Sequence, residues 1–88
     1  MEGLNIATVF TTKTHQVIGS RYEGHFYESV ELLLDDFKND VDLQFRNYGD
    51  NLEMFTVIAT KDGNTETRTF QGELDKDEIY EFAENVIK

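Results

Sequence analysis

Phe26-Tyr27-Glu28-Ser29-Val30-Glu31-Leu32-Leu33-Leu34-Asp35-Asp36-Phe37-Lys38-Asn39, running on into Asp40-Val41-Asp42-Leu43-Gln44-Phe45-Arg46, is the stretch on which the fold turns. Phe26, Val30, Leu33, Leu34, Phe37 and Val41 recur at helical spacing and make one apolar stripe, which predicts a helix over about 26–39. From Val41 the period changes. Val41, Leu43 and Phe45 alternate with Asp42, Gln44 and Arg46, the pattern of a half-buried strand. Opposite the helical stripe lie Glu28, Glu31 and Asp35, with Asp36 and Asn39 to one side. At ~100° per residue Leu32 falls among these polar groups, so it is expected to be exposed.

Working outward, residues 41–71 read as a three-stranded meander. Gly49-Asp50-Asn51 is the first expected hairpin loop, and a three-residue loop there pairs Tyr48 with Leu52. Asp62-Gly63 is a strong type I′ signal and sets Phe55 opposite Phe70 and Val57 opposite Arg68. This register collects Val41, Leu43, Phe45, Phe55, Val57, Ala59 and Phe70 on one face, and a slip of one residue would scatter them. The other face then shows Tyr48, Leu52, Met54 and Ile58 among threonines, a candidate surface for self-association. Asp75-Lys76-Asp77-Glu78 is a capping-box-like start for a helix over about 76–87, whose stripe is Ile79, Phe82, Ala83, Val86 and Ile87. On the N-terminal side, Leu4–Thr12 and Gln16–Tyr22 read as a hairpin over about 4–22, with a bulge or frayed end at Gly19.

The expected architecture is α+β: a single two-layer domain over residues 1–88, element order ββαβββα, with an antiparallel sheet and two helices packed on one face. Leu33, Phe37, Phe55, Phe70, Phe82 and Val86 are the expected core.

Charge bounds the function. The formal charge is −10 over 88 residues, and it is uneven. Residues 1–22 balance at +1, residues 23–53 at −7 and residues 54–88 at −4. Such acid repels nucleic acid and anionic membranes and suits a basic protein partner. There is no cysteine, so no disulfide framework and no thiolate metal site are expected, in keeping with the cytoplasm. The start Met1-Glu2-Gly3-Leu4-Asn5 lacks a signal-peptide pattern, and no apolar run approaches the length of a membrane span.

Residues 26–88, read as αβββα, resemble double-stranded-RNA-binding domains in element order. Those domains place lysines at the start of the last helix to grip phosphate, whereas Asp75-Lys76-Asp77-Glu78 stands there in this chain. Direct nucleic-acid binding is therefore not expected.

Catalytic chemistry finds no constellation. Ser20 and Ser29 lack a strand–turn–helix elbow, and His15 and His25 fall in or beside turns. Asp50-Asn51 with Glu53, and Asp62 with Asn64, lack the spacing of a calcium loop. No catalytic residue, cofactor or metal site is expected.

The carboxylate row carries the sharpest functional expectation. Glu28, Glu31 and Asp35 follow one another at helical steps of roughly 5–6 Å, comparable to the phosphates of a nucleic-acid strand. With Asp36, and with Leu32 as an apolar anchor, they form a candidate partner-binding ridge. The expected function is a small acidic inhibitor that masks the basic surface of a nucleic-acid-handling protein, a nucleic-acid mimic of the immunity, anti-restriction or anti-CRISPR kind. The alternative is a non-catalytic structural or adaptor domain, homodimeric through Tyr48, Leu52, Met54 and Ile58.

Overall fold

The Asp62-Gly63 turn forms as its sequence requires, with both residues at positive φ, 51° and 86°. It joins β3 (Leu52–Lys61) to β4 (Asn64–Gln71). Phe55 lies opposite Phe70 and Val57 opposite Arg68, as the turn predicts. The computed structural model describes residues 2–88. The N-terminal hairpin, β1 (Leu4–Thr12) and β2 (Val17–Glu23), joins the same sheet because β1 pairs antiparallel with β3. The strand order is β2-β1-β3-β4, antiparallel throughout.

Two helices cover one face of this sheet. They are α1 (Val30–Tyr48), lying toward β2, and α2 (Lys76–Ile87), lying chiefly over β3. Ile6 and Phe10 of β1 and Phe55, Val57 and Ala59 of β3 meet Leu33, Phe37 and Val41 of α1 and Ile79 and Ala83 of α2 in one buried core. Phe55 stacks flat on Phe10 at 5.6 Å between ring centroids, and Phe37 stands edge-on to Tyr22 at 6.0 Å. The α+β two-layer class, with both helices on one face of an antiparallel sheet, is the expected one. Phe82 and Val86 are half-buried at its rim.

The stretch 41–46 is helix, not strand. The described elements therefore run ββαββα, with short 3-10 turns at Gly24–Phe26 and Gly49–Asn51. The helical stripe simply continues: Phe37, Val41, Phe45 and Tyr48 step by four, four and three residues and all turn inward. No glycine or proline interrupts it until Gly49, whose φ of 46° ends the helix. Of the three residues that mimicked strand alternation, Leu43 is the one left outside, 44% exposed. The likeness in element order to double-stranded-RNA-binding domains goes with the lost strand.

The helix also starts later than expected. Ser29 Oγ accepts the Leu32 N–H at 3.2 Å and caps α1, leaving Phe26 in the preceding turn, 74% exposed.

The expected hairpin at Gly49-Asp50-Asn51 is a helix-to-strand connection, so Tyr48 and Leu52 do not pair. Tyr48 ends α1 and packs on Phe10, 5.4 Å between centroids. Leu52 is buried on the core face. The cause is a bulge: Thr11 faces Met54 and Thr12 faces Leu52, so Glu53 is the extra residue and reverses the alternation. Gly19, where a bulge was expected, pairs with Val9 in unbroken register.

The helical course of 41–46 gives a direct test. Leu43→Glu alters an exposed side chain and shifts stability by less than about 0.5 kcal/mol in urea unfolding. A loss of several kcal/mol would instead put Leu43 in a core.

Candidate functional site: the acidic helical layer

The solvent face of α1 is set by what holds its flanks. On the β2 side the Tyr22 hydroxyl donates to Asp40, which also accepts from Gln44 Nε2 at 3.2 Å, and the Tyr27 hydroxyl donates to Asp36. On the α2 side the Tyr80 hydroxyl donates to Asp42, which also pairs with Lys76 at 3.2 Å, and Lys38 pairs with Glu84. Three aspartates of α1 are thus clasped by three tyrosines from three different segments. Burial and the hydrogen bond to Asp40 push the Tyr22 phenol well above its ordinary range. Burial and Asp42 do the same to Tyr80, and burial and Asp36 raise Tyr27 to about 12. The Tyr80 hydroxyl, then Lys76, holds the Asp42 carboxyl below its usual value.

These clasps divide the predicted ridge. Glu28, Glu31, Leu32, Asp35 and Asp36 are all exposed, as expected. Glu31, Leu32, Asp35 and Asp36 lie on the outer side at the start of α1, but Glu28 precedes the Ser29 cap, so it is not one helical step from Glu31. Asp36, however, is committed to Tyr27. Glu28, Glu31 and Asp35 make no side-chain hydrogen bond or ion pair among the described residues.

Leu32, 48% exposed, stands among them. Eleven residues on, Leu43 occupies the same side three turns later, about 16 Å along the axis. Between the two leucines the outer line carries Asp35, Asp36 and Asn39, all exposed. The ridge therefore carries two exposed leucines, Leu32 among its carboxylates and Leu43 beyond Asp35, Asp36 and Asn39. Sequence reasoning missed Leu43 because it assigned that residue to a strand. It missed the clasps because phenols on separate elements leave no periodic trace.

Charge separates the two layers. Thirteen of the eighteen carboxylates fall in residues 24–50 and 72–88, the helices and their connections, against four basic residues. The remainder of the chain carries five against four and is nearly neutral. The uncovered sheet face accordingly shows few charges. Its central rows are Arg21-Ala7-Ile58-Thr67 and Gly19-Val9-Thr56-Thr69, read from β2 to β4. Of the four residues expected there for self-association, Met54 and Ile58 are present, half-buried. Tyr48 and Leu52 have left it for the core side. The N-terminal hairpin widens this face and does not cover it.

The histidines and serines stay apart. His15 sits in the β1–β2 turn, and His25 pairs with Glu23 at 3.2 Å and packs on Phe26. Ser29 is a helix cap, and Ser20 faces Thr8 across the strands. Asp75 caps α2 by accepting the Asp77 N–H at 2.9 Å. Among the described residues no helix is long and apolar enough to cross a membrane. No protein-family model, curated protein or solved structure matches this chain.

Proposed function

We propose that this chain is a non-catalytic, cytoplasmic binding protein that lays the outer side of α1 into the basic groove of a nucleic-acid-handling partner. It thereby acts as an acidic inhibitor that mimics the nucleic acid. One observation carries the proposal. The outer line of α1 pairs the uncommitted carboxylates Glu31 and Asp35 (Glu28 lies just ahead of the helix cap) with two exposed leucines, Leu32 and Leu43, on a layer that holds nearly all the net charge. Carboxylates at this spacing offer a basic groove a substitute for phosphates. The leucines supply small desolvated contacts of the kind that dominate binding energy.

Capture of basic proteins on the immobilised chain, with release by salt, tests this. Glu31→Lys with Asp35→Lys should abolish capture and leave the fold intact, because both side chains face solvent. Leu32→Ala or Leu43→Ala should weaken capture by roughly tenfold without changing its salt dependence, the loss of a small buried anchor being about 1–2 kcal/mol. A captured partner that holds wild type and the double reversal equally would end the mimic proposal. A structural or adaptor role is favoured by a different feature, the nearly uncharged sheet face around Val9, Met54 and Ile58. Wild type recovering nothing but itself would support that role.

A further inference from the structure

β4 is an outer strand of the sheet, and around Thr67 it reads Thr65-Glu66-Thr67-Arg68-Thr69. The stretch is symmetric about its centre, except that the acid on one side answers the base on the other. All of Asn64–Thr69 is exposed. Outer strands ordinarily discourage pairing with charged side chains, lysine above all, with proline or with a bulge. β4 has no lysine, proline or bulge, its register with β3 is unbroken, and its two charges, Glu66 and Arg68, are of opposite sign.

The turn decides which backbone groups of β4 face outward. A two-residue type I′ hairpin closes on a hydrogen-bonded pair, here Lys61 and Asn64. Alternation then points the N–H and C=O groups of Asn64, Glu66, Arg68 and Phe70 at β3, and those of Thr65, Thr67, Thr69 and Gln71 outward. The hydroxyl contacts Thr56–Thr69 and Thr60–Thr65, both 3.0 Å, agree with this. Side chains approach most closely where the backbones do not bond.

We propose that two copies of this chain join edge to edge through β4, antiparallel about a two-fold axis at Thr67, into one continuous sheet. Thr67 then meets Thr67 of the second copy, and Thr65 meets Thr69, with outward backbone groups satisfied on both sides. Glu66 faces Arg68 of the second copy, and the symmetry repeats the pair, as a self-complementary interface requires.

Charge selects this register. Centring the axis one residue earlier sets Glu66 against Glu66, and one residue later sets Arg68 against Arg68. Both keep the backbone groups matched, and both place like charges directly opposite, which destabilises a sheet. Within the chain neither Glu66 nor Arg68 is held in an ion pair among the described residues. Arg68 lies over the Phe70 ring, 4.6 Å to its centroid.

The other outer strand, β2, differs. Its charges are already engaged, with Arg21 on Glu23 at 2.9 Å and Glu23 also on His25. They also sit at the end of the strand, where the overlap with a second copy would be short.

Glu66 and Arg68 share the helix-covered face, so both helical layers lie on one side of the joined sheet. Glu78 and Glu81 of α2 border the same groove as Arg68 and come near the axis. Their repulsion, and that of two chains each at −10, is screened beyond about 8 Å at physiological ionic strength. Association should therefore strengthen from low to moderate salt.

Sedimentation equilibrium at moderate salt tests the dimer. Glu66→Arg and Arg68→Glu, each alone, oppose like charges in both cross-strand pairs and should raise the dissociation constant at least tenfold. Circular dichroism should show both variants folded, since both positions are exposed. Mixed in equal amounts the two should form a heterodimer, the arginines of one facing the glutamates of the other. The dimer is overturned if wild type stays monomeric up to about 1 mM. The β4 register is overturned if wild type dimerises but the single variants dimerise equally well, or if their mixture forms no heterodimer. None of these outcomes depends on a partner for α1.

Discussion

Phe55→Ala should lower the free energy of unfolding by about 3–5 kcal/mol, the usual cost of emptying a large buried aromatic site. Stability for a chain of this size is about 4–13 kcal/mol. The variant should therefore either be largely unfolded or show its urea midpoint reduced by roughly 2 M or more. Phe55 is 1% exposed at the centre of the sheet. It stacks on Phe10, faces Phe70 across β4, and meets Phe45 of α1 at 6.1 Å between centroids. Removing it strips contacts from β1, β4 and the second half of α1 together. A negligible shift would refute the β3–β4 register and the helical course of residues 41–48 at once.

The second large effect is alkaline. Tyr22, Tyr27 and Tyr80 each have a phenol raised above the ordinary value near 10 by burial and by a carboxylate acceptor. Above pH 10 the unfolded chain releases phenolic protons that the folded chain retains, so the unfolded state gains on the folded one. The stabilisation is fully present below pH 10 and is lost as pH climbs from there through about 12 and beyond. Each phenol contributes up to about 1.4 kcal/mol per pH unit in that window. Tyr27 and Tyr80 contribute less, because they are only half-buried where Tyr22 is buried.

Absorbance at 295 nm and urea midpoints across the alkaline range should therefore move together. Tyr22→Phe removes a buried donor to Asp40. It should cost about 1–2 kcal/mol at neutral pH and flatten the alkaline slope. Phenols that ionise near pH 10 without loss of stability would refute the clasps. On the acid side the sign reverses for Asp42. Its lowered value favours the fold above its ordinary 3.8, and that contribution disappears as pH falls through the folded value.

The same three clasps bear on the acidic ridge. A helix carrying this much like charge would gain little from its own carboxylates. Here Asp36, Asp40 and Asp42 are turned to holding α1 against the segment before it, β2 and α2, which leaves Glu31 and Asp35 on its outer side, and Glu28 just ahead of it, without partners among the described residues. Binding and stability variants therefore separate by residue. Charge changes at Glu31 and Asp35 should act on a partner, and changes at Asp40 and Asp42 on the fold.

What the sequence determined by itself was local. Asp62-Gly63 dictated a type I′ turn, and through it the pairing of Phe55 with Phe70, because only residues tolerant of positive φ fit that bend. The stripe of Leu33, Leu34 and Phe37 determined a helix with one buried side, and the place of Leu32 outside that stripe determined its exposure. Net charge and its concentration in the middle of the chain were equally plain.

Tertiary structure decided the rest. Val41, Leu43 and Phe45 satisfy a period of two, while Phe37, Val41, Phe45 and Tyr48 satisfy a helical one. Six residues cannot say which pattern will find apolar surface to bury. Phe10 and Phe55, distant in sequence, supplied that surface to Phe45 and Tyr48, and the helix prevailed. The bulge at Glu53 turned Leu52 inward for the same reason, since burying a leucine outweighs one irregular pair. The position of the N-terminal hairpin, and the three phenols that reach Asp36, Asp40 and Asp42, likewise join segments far apart in the chain. No local spacing encodes them.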